Sequence, residues 1–132
     1  MSRLRSVGAA SGSGLVLEVT ALPGSALILR ISGDIDLATV EETAAILDDA
    51  TAQLPPPDLV IVDLCAASFL SVAGVRALER FASTAAERGV RTRLVAQGGT
   101  VVHRVMHITR LDRRVEVFET IDCALAARGR RN

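Results

Sequence analysis

Leu15, Leu17 and Val19 alternate with Val16, Glu18 and Thr20, the two-residue period of a strand. Pro23-Gly24 supplies a turn and Ala26 to Ile31 a second apolar run, so the pattern predicts two antiparallel opening strands. After Gly33-Asp34-Ile35-Asp36 the period changes. Val40, Ala44, Leu47 and Leu54 fall near helical spacing, with Glu41, Glu42, Asp48 and Asp49 on the other side. This predicts a helix over about 38–54 that Asp36 caps and the prolines at 55–57 end.

Leu59-Val60-Ile61-Val62 is a continuous, largely β-branched run, the pattern of a central strand covered on both faces. From Val72 onward, Val75, Leu78, Phe81, Ala82 and Ala85 keep helical spacing, and Gly89 marks the stop. Thr92 to Ala96 reads as a strand, Val102, Val105, Met106 and Thr109 as one face of a short helix, Val115 to Phe118 as a strand, and Ile121, Ala124 and Leu125 as the start of a final helix. The predicted order is ββαβαβαβα. Strands alternating with helices after an opening hairpin imply an α/β fold: a mixed β-sheet with helices packed against it.

Composition narrows the picture. A chain of 132 residues suits one core, and with three phenylalanines and no tryptophan or tyrosine that core is aliphatic. Residues 1–14, ending in the Gly/Ser-rich stretch Ser11 to Gly14, read as a flexible tail; residues 15–127 read as the domain and 128–132 as a basic tail. Fifteen basic residues balance fifteen acidic ones, so no chain-wide field attracts nucleic acid. No apolar run is long enough for a signal peptide or a membrane helix, and a cytoplasmic protein without membrane insertion is expected.

Two motifs carry a resemblance. The first is Ile31-Ser32-Gly33-Asp34-Ile35-Asp36-Leu37-Ala38-Thr39; the second is Leu59-Val60-Ile61-Val62-Asp63-Leu64 followed by Phe69-Leu70-Ser71-Val72-Ala73-Gly74-Val75. In this order and spacing they resemble the STAS family of anti-sigma factor antagonists, across about residues 14–127. The resemblance implies a STAS-type fold and a non-enzymatic role. It implies binding to an anti-sigma factor of kinase-like fold, freeing a sigma factor, with no cofactor. Its partner surface falls on Gly33, Asp34, Asp36, Phe69, Leu70, Ser71, Val72, Ala73, Gly74 and Arg76. An alternative is a STAS subunit of a stressosome-like assembly or of a lipid or anion transporter, and homo-oligomers are compatible with either.

Phosphoregulated family members read Phe-(Leu/Met)-Asp-Ser-Ser-Gly at the second motif, the second serine being the acceptor. Aligned on Phe69 and Gly74, Ser71 takes the aspartate position and Ala73 the acceptor position. A methyl group cannot accept a phosphoryl group, so the usual switch is absent. Ser71 has two readings, an N-cap of the helix or a displaced phosphoacceptor, with Ser68 a weaker acceptor candidate.

Other constellations in the sequence carry less. His103 and His107 are four apart on a helix but lack a third ligand, and Asp34, Asp36 and Asp63 lack a phosphate loop or a histidine partner. No metal site is expected. Arg104, Arg110, Arg113 and Arg114 have no interleaved aromatic residues and read as a solvated or protein-docking patch. Cys65 and Cys123 form no CxxC pair; buried reduced thiols are the default, with redox control or a disulfide between them the alternative.

Overall fold

The computed structural model describes the backbone of residues 3–7 and all of residues 14–53 and 55–127. The predicted hairpin forms as β2 (Val16–Leu22) and β3 (Ala26–Ile35), paired antiparallel with Leu22 opposite Ala26. Alternation is the cause: Leu27, Leu29 and Ile31 enter the main core, whereas Ile28 enters a smaller cluster on the other face.

The remaining strands extend this pair. On one side, β1 (Arg3–Val7) runs antiparallel to β2. On the other, β4 (Leu59–Asp63), β6 (Arg91–Val95) and β7 (Glu116–Phe118) continue in parallel. The sheet order is β1-β2-β3-β4-β6-β7. A short β5 (Ala67–Leu70) pairs with the far end of β3, beyond the stretch that β4 occupies. Val60, Ile61 and Val62 are fully buried, as a continuous apolar run in a two-sided central strand requires.

Helices α1 (Val40–Ala50), α2 (Val72–Glu87) and α3 (Val101–Ile108) bury Leu47; Val75, Leu78 and Phe81; and Val102 and Met106 in the main core. Helix α4 (Ile121–Ala126) covers part of the opposite face through Ala124 and Ile121. A 3₁₀ turn at Leu111–Arg113 leads into β7.

The mixed sheet with packed helices is the expected class, with two additional strands. Residues 3–7, expected within a flexible tail, form β1, because the unpaired edge of β2 offers a full row of ladder partners. Residues 67–70, expected as loop, form β5, because β3 outruns β4 and leaves Gly33 to Ile35 free to pair. Helix α1 is shorter than the expected 38–54. Leu54, most of the Ser11 to Gly14 stretch and the 128–132 tail lie outside the described residues.

Candidate functional site

The two motifs meet at one end of the sheet, where β3 and β4 deliver their C-terminal residues. Asp34 pairs with Phe69 and Ile35 with Leu70, with a register shift between Gly33 and Asp34. The Ser71 amide donates to the Ile35 carbonyl at 2.8 Å, and the Gly33 amide to the Ala66 carbonyl at 3.4 Å. Backbone bonds therefore join segments more than thirty positions apart into one rim.

Gly33 sits at φ +109°, which L side chains rarely adopt, and a Cβ there would lie 2.7 Å from the Gly14 carbonyl oxygen. Beyond it, Asp36 closes a tight turn. Its Oδ1 accepts from the amides of Ala38 at 3.0 Å and Thr39 at 3.1 Å. Thr39 Oγ1 donates to the Asp34 carbonyl at 2.8 Å and accepts from the Asp36 amide at 3.0 Å. The expectation that Asp36 caps the first helix is corrected: Thr39 is the N-cap residue of α1, and the Asp36 side chain serves the turn before it. That turn leaves Leu37 78% exposed.

On the other motif, Ser71 is the N-cap of α2. Its backbone is extended and its Oγ accepts from the Gly74 amide at 3.1 Å. Val72 and Phe69 follow Leu37 into solvent, at 56% and 42% exposure. Arg76 is exposed one turn further and Asp34 is exposed on the facing segment, while Ala73 is half-buried. Leu70 and Gly74, expected on the partner surface, are buried instead. A Cβ on Gly74 would approach Leu70 Cδ1 to 2.7 Å and Ile35 Cγ2 to 2.8 Å, so these residues seat the helix and do not form the surface.

Chemically, this end of the fold is an exposed apolar rim edged by charge. Three large apolar side chains stand free beside an exposed carboxylate and an exposed guanidinium, at a helix start whose amides carry positive partial charge. Among the described residues no group of three or more His, Cys, Asp or Glu could hold a metal ion. His107 Nδ1 lies 3.1 Å from Asp112 Oδ2 at the exposed end of α3. Arg104, Arg110, Arg113 and Arg114 are exposed, and Arg114 is bound to Glu79 at 2.9 Å.

Cys65 and Cys123 are both free thiols and both exposed, which corrects the expectation of buried ones. Cys65 follows β4 on the link into β5. Partial burial, a hydrogen bond to Asp63 and the charge of Asp63 push its thiol up to about 11. A thiol so held stays protonated, the reverse of what a redox-sensing cysteine needs. Asp63 itself, read from sequence only as a possible acid or metal ligand, is buried and accepts from the Cys65 amide at 3.0 Å. Nothing in the sequence pattern singled out this link; a lone acidic residue ending an apolar central strand was the one signal available.

Known proteins supply an independent comparison. The family described as the STAS domain matches residues 17–124. The anti-sigma-F factor antagonist RsfB of Mycobacterium tuberculosis is 33% identical over 101 residues, 74% of this chain and 77% of the relative. A crystal structure of an anti-sigma factor antagonist from Mycobacterium paratuberculosis superposes with a TM-score of 0.72 at 23% identity, covering 93% of this chain and 92% of that one. The Bacillus cell fate determinant SpoIIAA in its phosphorylated form gives a TM-score of 0.59 at 18% identity, covering 83% and 96%. The two structural likenesses speak to fold alone.

Proposed function

The chain belongs to the STAS domain family, and from that premise we propose that it is an anti-sigma factor antagonist, a non-enzymatic cytoplasmic protein that binds an anti-sigma factor of kinase-like fold and so frees a sigma factor. The observation that carries this reading is the rim of Leu37, Phe69 and Val72, exposed and held by backbone pairing beside Asp34 and the start of α2. Exposed apolar side chains on a rigid frame, edged by charge, are the anatomy of a protein-docking patch. The name of the mycobacterial relative, an antagonist of an anti-sigma factor, supports the kind of partner.

Ala73 sets how the site is controlled. It occupies the position of the family's acceptor serine and offers a methyl group, so a kinase partner has no hydroxyl there to modify. Ser71 has a hydroxyl, but it lies two residues before the acceptor position, and its oxygen accepts the Gly74 amide as the cap of α2. The rim is therefore permanently available for binding.

The test is reconstitution. The protein captures its anti-sigma factor from native cytoplasm, and the purified pair is challenged with the cognate sigma factor in a transcription assay. Wild type releases the sigma factor, Val72→Asp fails to, and incubation with the partner and ATP adds no phosphate at residues 68–73. Release by Val72→Asp equal to wild type refutes the placement of the surface. Capture of a transport ATPase in place of an anti-sigma factor refutes the antagonist reading and favours a transporter subunit.

A further inference from the structure

Asp63 is a carboxylate at the end of a central strand, and its residue is only 2% exposed. Buried charges are retained where something compensates them. The nearest cation is a poor candidate: Arg30 Nη1 stands 4.0 Å from Oδ2 on a half-exposed side chain, where solvent screens the attraction. The short contact lies elsewhere. Oδ1 accepts from the Cys65 amide at 3.0 Å, a hydrogen bond strengthened by the charge on its acceptor. The charge of the same carboxylate also helps to hold the Cys65 thiol protonated.

These contacts sit where the chain changes course. Past Asp63 the strand leaves the β4 line, crosses residues 64–66 and rejoins β3 as β5. Backbone bonds fix both ends of the crossing: the Leu64 amide donates to the Val95 carbonyl at 2.8 Å and the Ala67 amide to the Leu64 carbonyl at 3.1 Å. Cys65 lies between them, and among the described contacts its amide is held by the Asp63 carboxylate alone. On so short a link, a shift at Cys65 carries into Ala67 and onward to Phe69 and Ser71.

Resting on the reading of residues 66–76 as part of the docking surface, we propose that Asp63 is the positioning residue of that surface: its carboxylate clasps the Cys65 backbone, and thereby sets β5 and the start of α2. Asp63 touches no partner. It acts through the link.

The full chain carrying Cys123→Ala, with Cys65 as its sole thiol, provides the test. Two readouts need no partner: the alkylation rate of Cys65 by iodoacetamide at pH 8, and hydrogen exchange at the amides of residues 65–70. In Asp63→Ala, alkylation rises about tenfold for each unit by which the thiol pKa falls, and protection at 65–70 drops about tenfold while that of Leu94 and Val95 holds. Asp63→Asn keeps an acceptor for the Cys65 amide but loses the charge; protection stays within about threefold while alkylation still rises. Affinity for the purified anti-sigma factor falls about tenfold in Asp63→Ala and about twofold in Asp63→Asn. Should Asp63→Ala fail to fold, Asp63→Asn carries the test through its alkylation rate and affinity. Wild-type alkylation and wild-type exchange at 65–70 in a folded variant overturn the clasp and leave the docking reading standing. Loosened exchange with unaltered affinity overturns the docking role of residues 66–76, and the positioning role with it.

Discussion

Replacing Gly74 by alanine sets two effects against each other inside α2. In a helix interior, glycine to alanine gains about 1 kcal/mol, because alanine loses less backbone freedom on folding. Here the added methyl has no room: it would lie 2.7 Å from Leu70 Cδ1, 2.8 Å from Ile35 Cγ2 and 3.2 Å from the Ile35 carbonyl oxygen. Leu70 Cδ1 ends a flexible side chain and could swing aside at modest cost. Ile35 Cγ2 cannot, because it is bonded directly to the Cβ of a fully buried β-branched residue whose carbonyl also receives the Ser71 amide. The first turn of α2 must therefore lift. Overpacking of this kind costs about 1–3 kcal/mol, and because the Ile35 side chain cannot yield the upper part of that range, about 2–3 kcal/mol, applies; subtracting the propensity gain of about 1 kcal/mol leaves a net loss of about 1–2 kcal/mol. Thermal and urea unfolding followed by far-ultraviolet circular dichroism read this as a Tm lower by roughly 3–8 °C with an unchanged urea m-value. Because the lift also displaces Val72, affinity for the partner falls together with stability. An alanine variant more stable than wild type would show that helix propensity decides here, and that the close seat of α2 on β3 and β5 is not a constraint.

Ser71→Ala removes the oxygen that accepts the Gly74 amide, and urea denaturation should register a loss of about 1 kcal/mol; Ser71→Asp restores an acceptor and should recover most of it, while a variant with no loss would remove the cap. Cys65 gives a pH signature. Its folded pKa of about 11 lies above the ordinary thiol value of 9.0, so the folded state keeps a proton that the unfolded chain gives up. The stability this contributes is complete below pH 9 and is lost as pH rises from 9 towards 11. Cys65→Ala should flatten that part of the stability profile, and an identical slope in both proteins would contradict the assignment.

Much of the fold was legible because its core strands and helices follow a single period. Leu27, Leu29 and Ile31, and Val75, Leu78 and Phe81, announce their faces by spacing alone. The parts that were missed depend on contacts across the chain. Strand β5 has no alternation of its own and exists because β3 outruns β4. Arg93 could not be read from its neighbours either. It is 3% exposed, with Nε donating to Glu116 Oε1 at 3.1 Å, Nη1 donating to the Ala124 carbonyl at 2.6 Å, and its guanidinium 5.6 Å from the Phe118 ring centre. An arginine inside a strand pattern reads as solvent-facing until α4 is known to end over it.

The same distinction explains the exposed rim. Asp34, Phe69, Val72 and Arg76 were named together by motif and Leu37 was not singled out, and the motif could not separate the side chains that face outward from those that hold them. Leu70 and Gly74 lie beside Phe69 and Val72 in sequence and are buried, because a strand ending and a helix starting within a few residues turn adjacent side chains to opposite sides. Leu37, in contrast, is exposed because Asp36 and Thr39 consume their polar groups in closing its turn. Substitutions at Leu37, Phe69 and Val72 should therefore alter binding with little effect on folding, whereas those at Asp63, Leu70 and Gly74 alter binding only by first moving backbone. Separating these two groups requires affinity and stability to be measured on the same variants, since affinity alone would count both as surface.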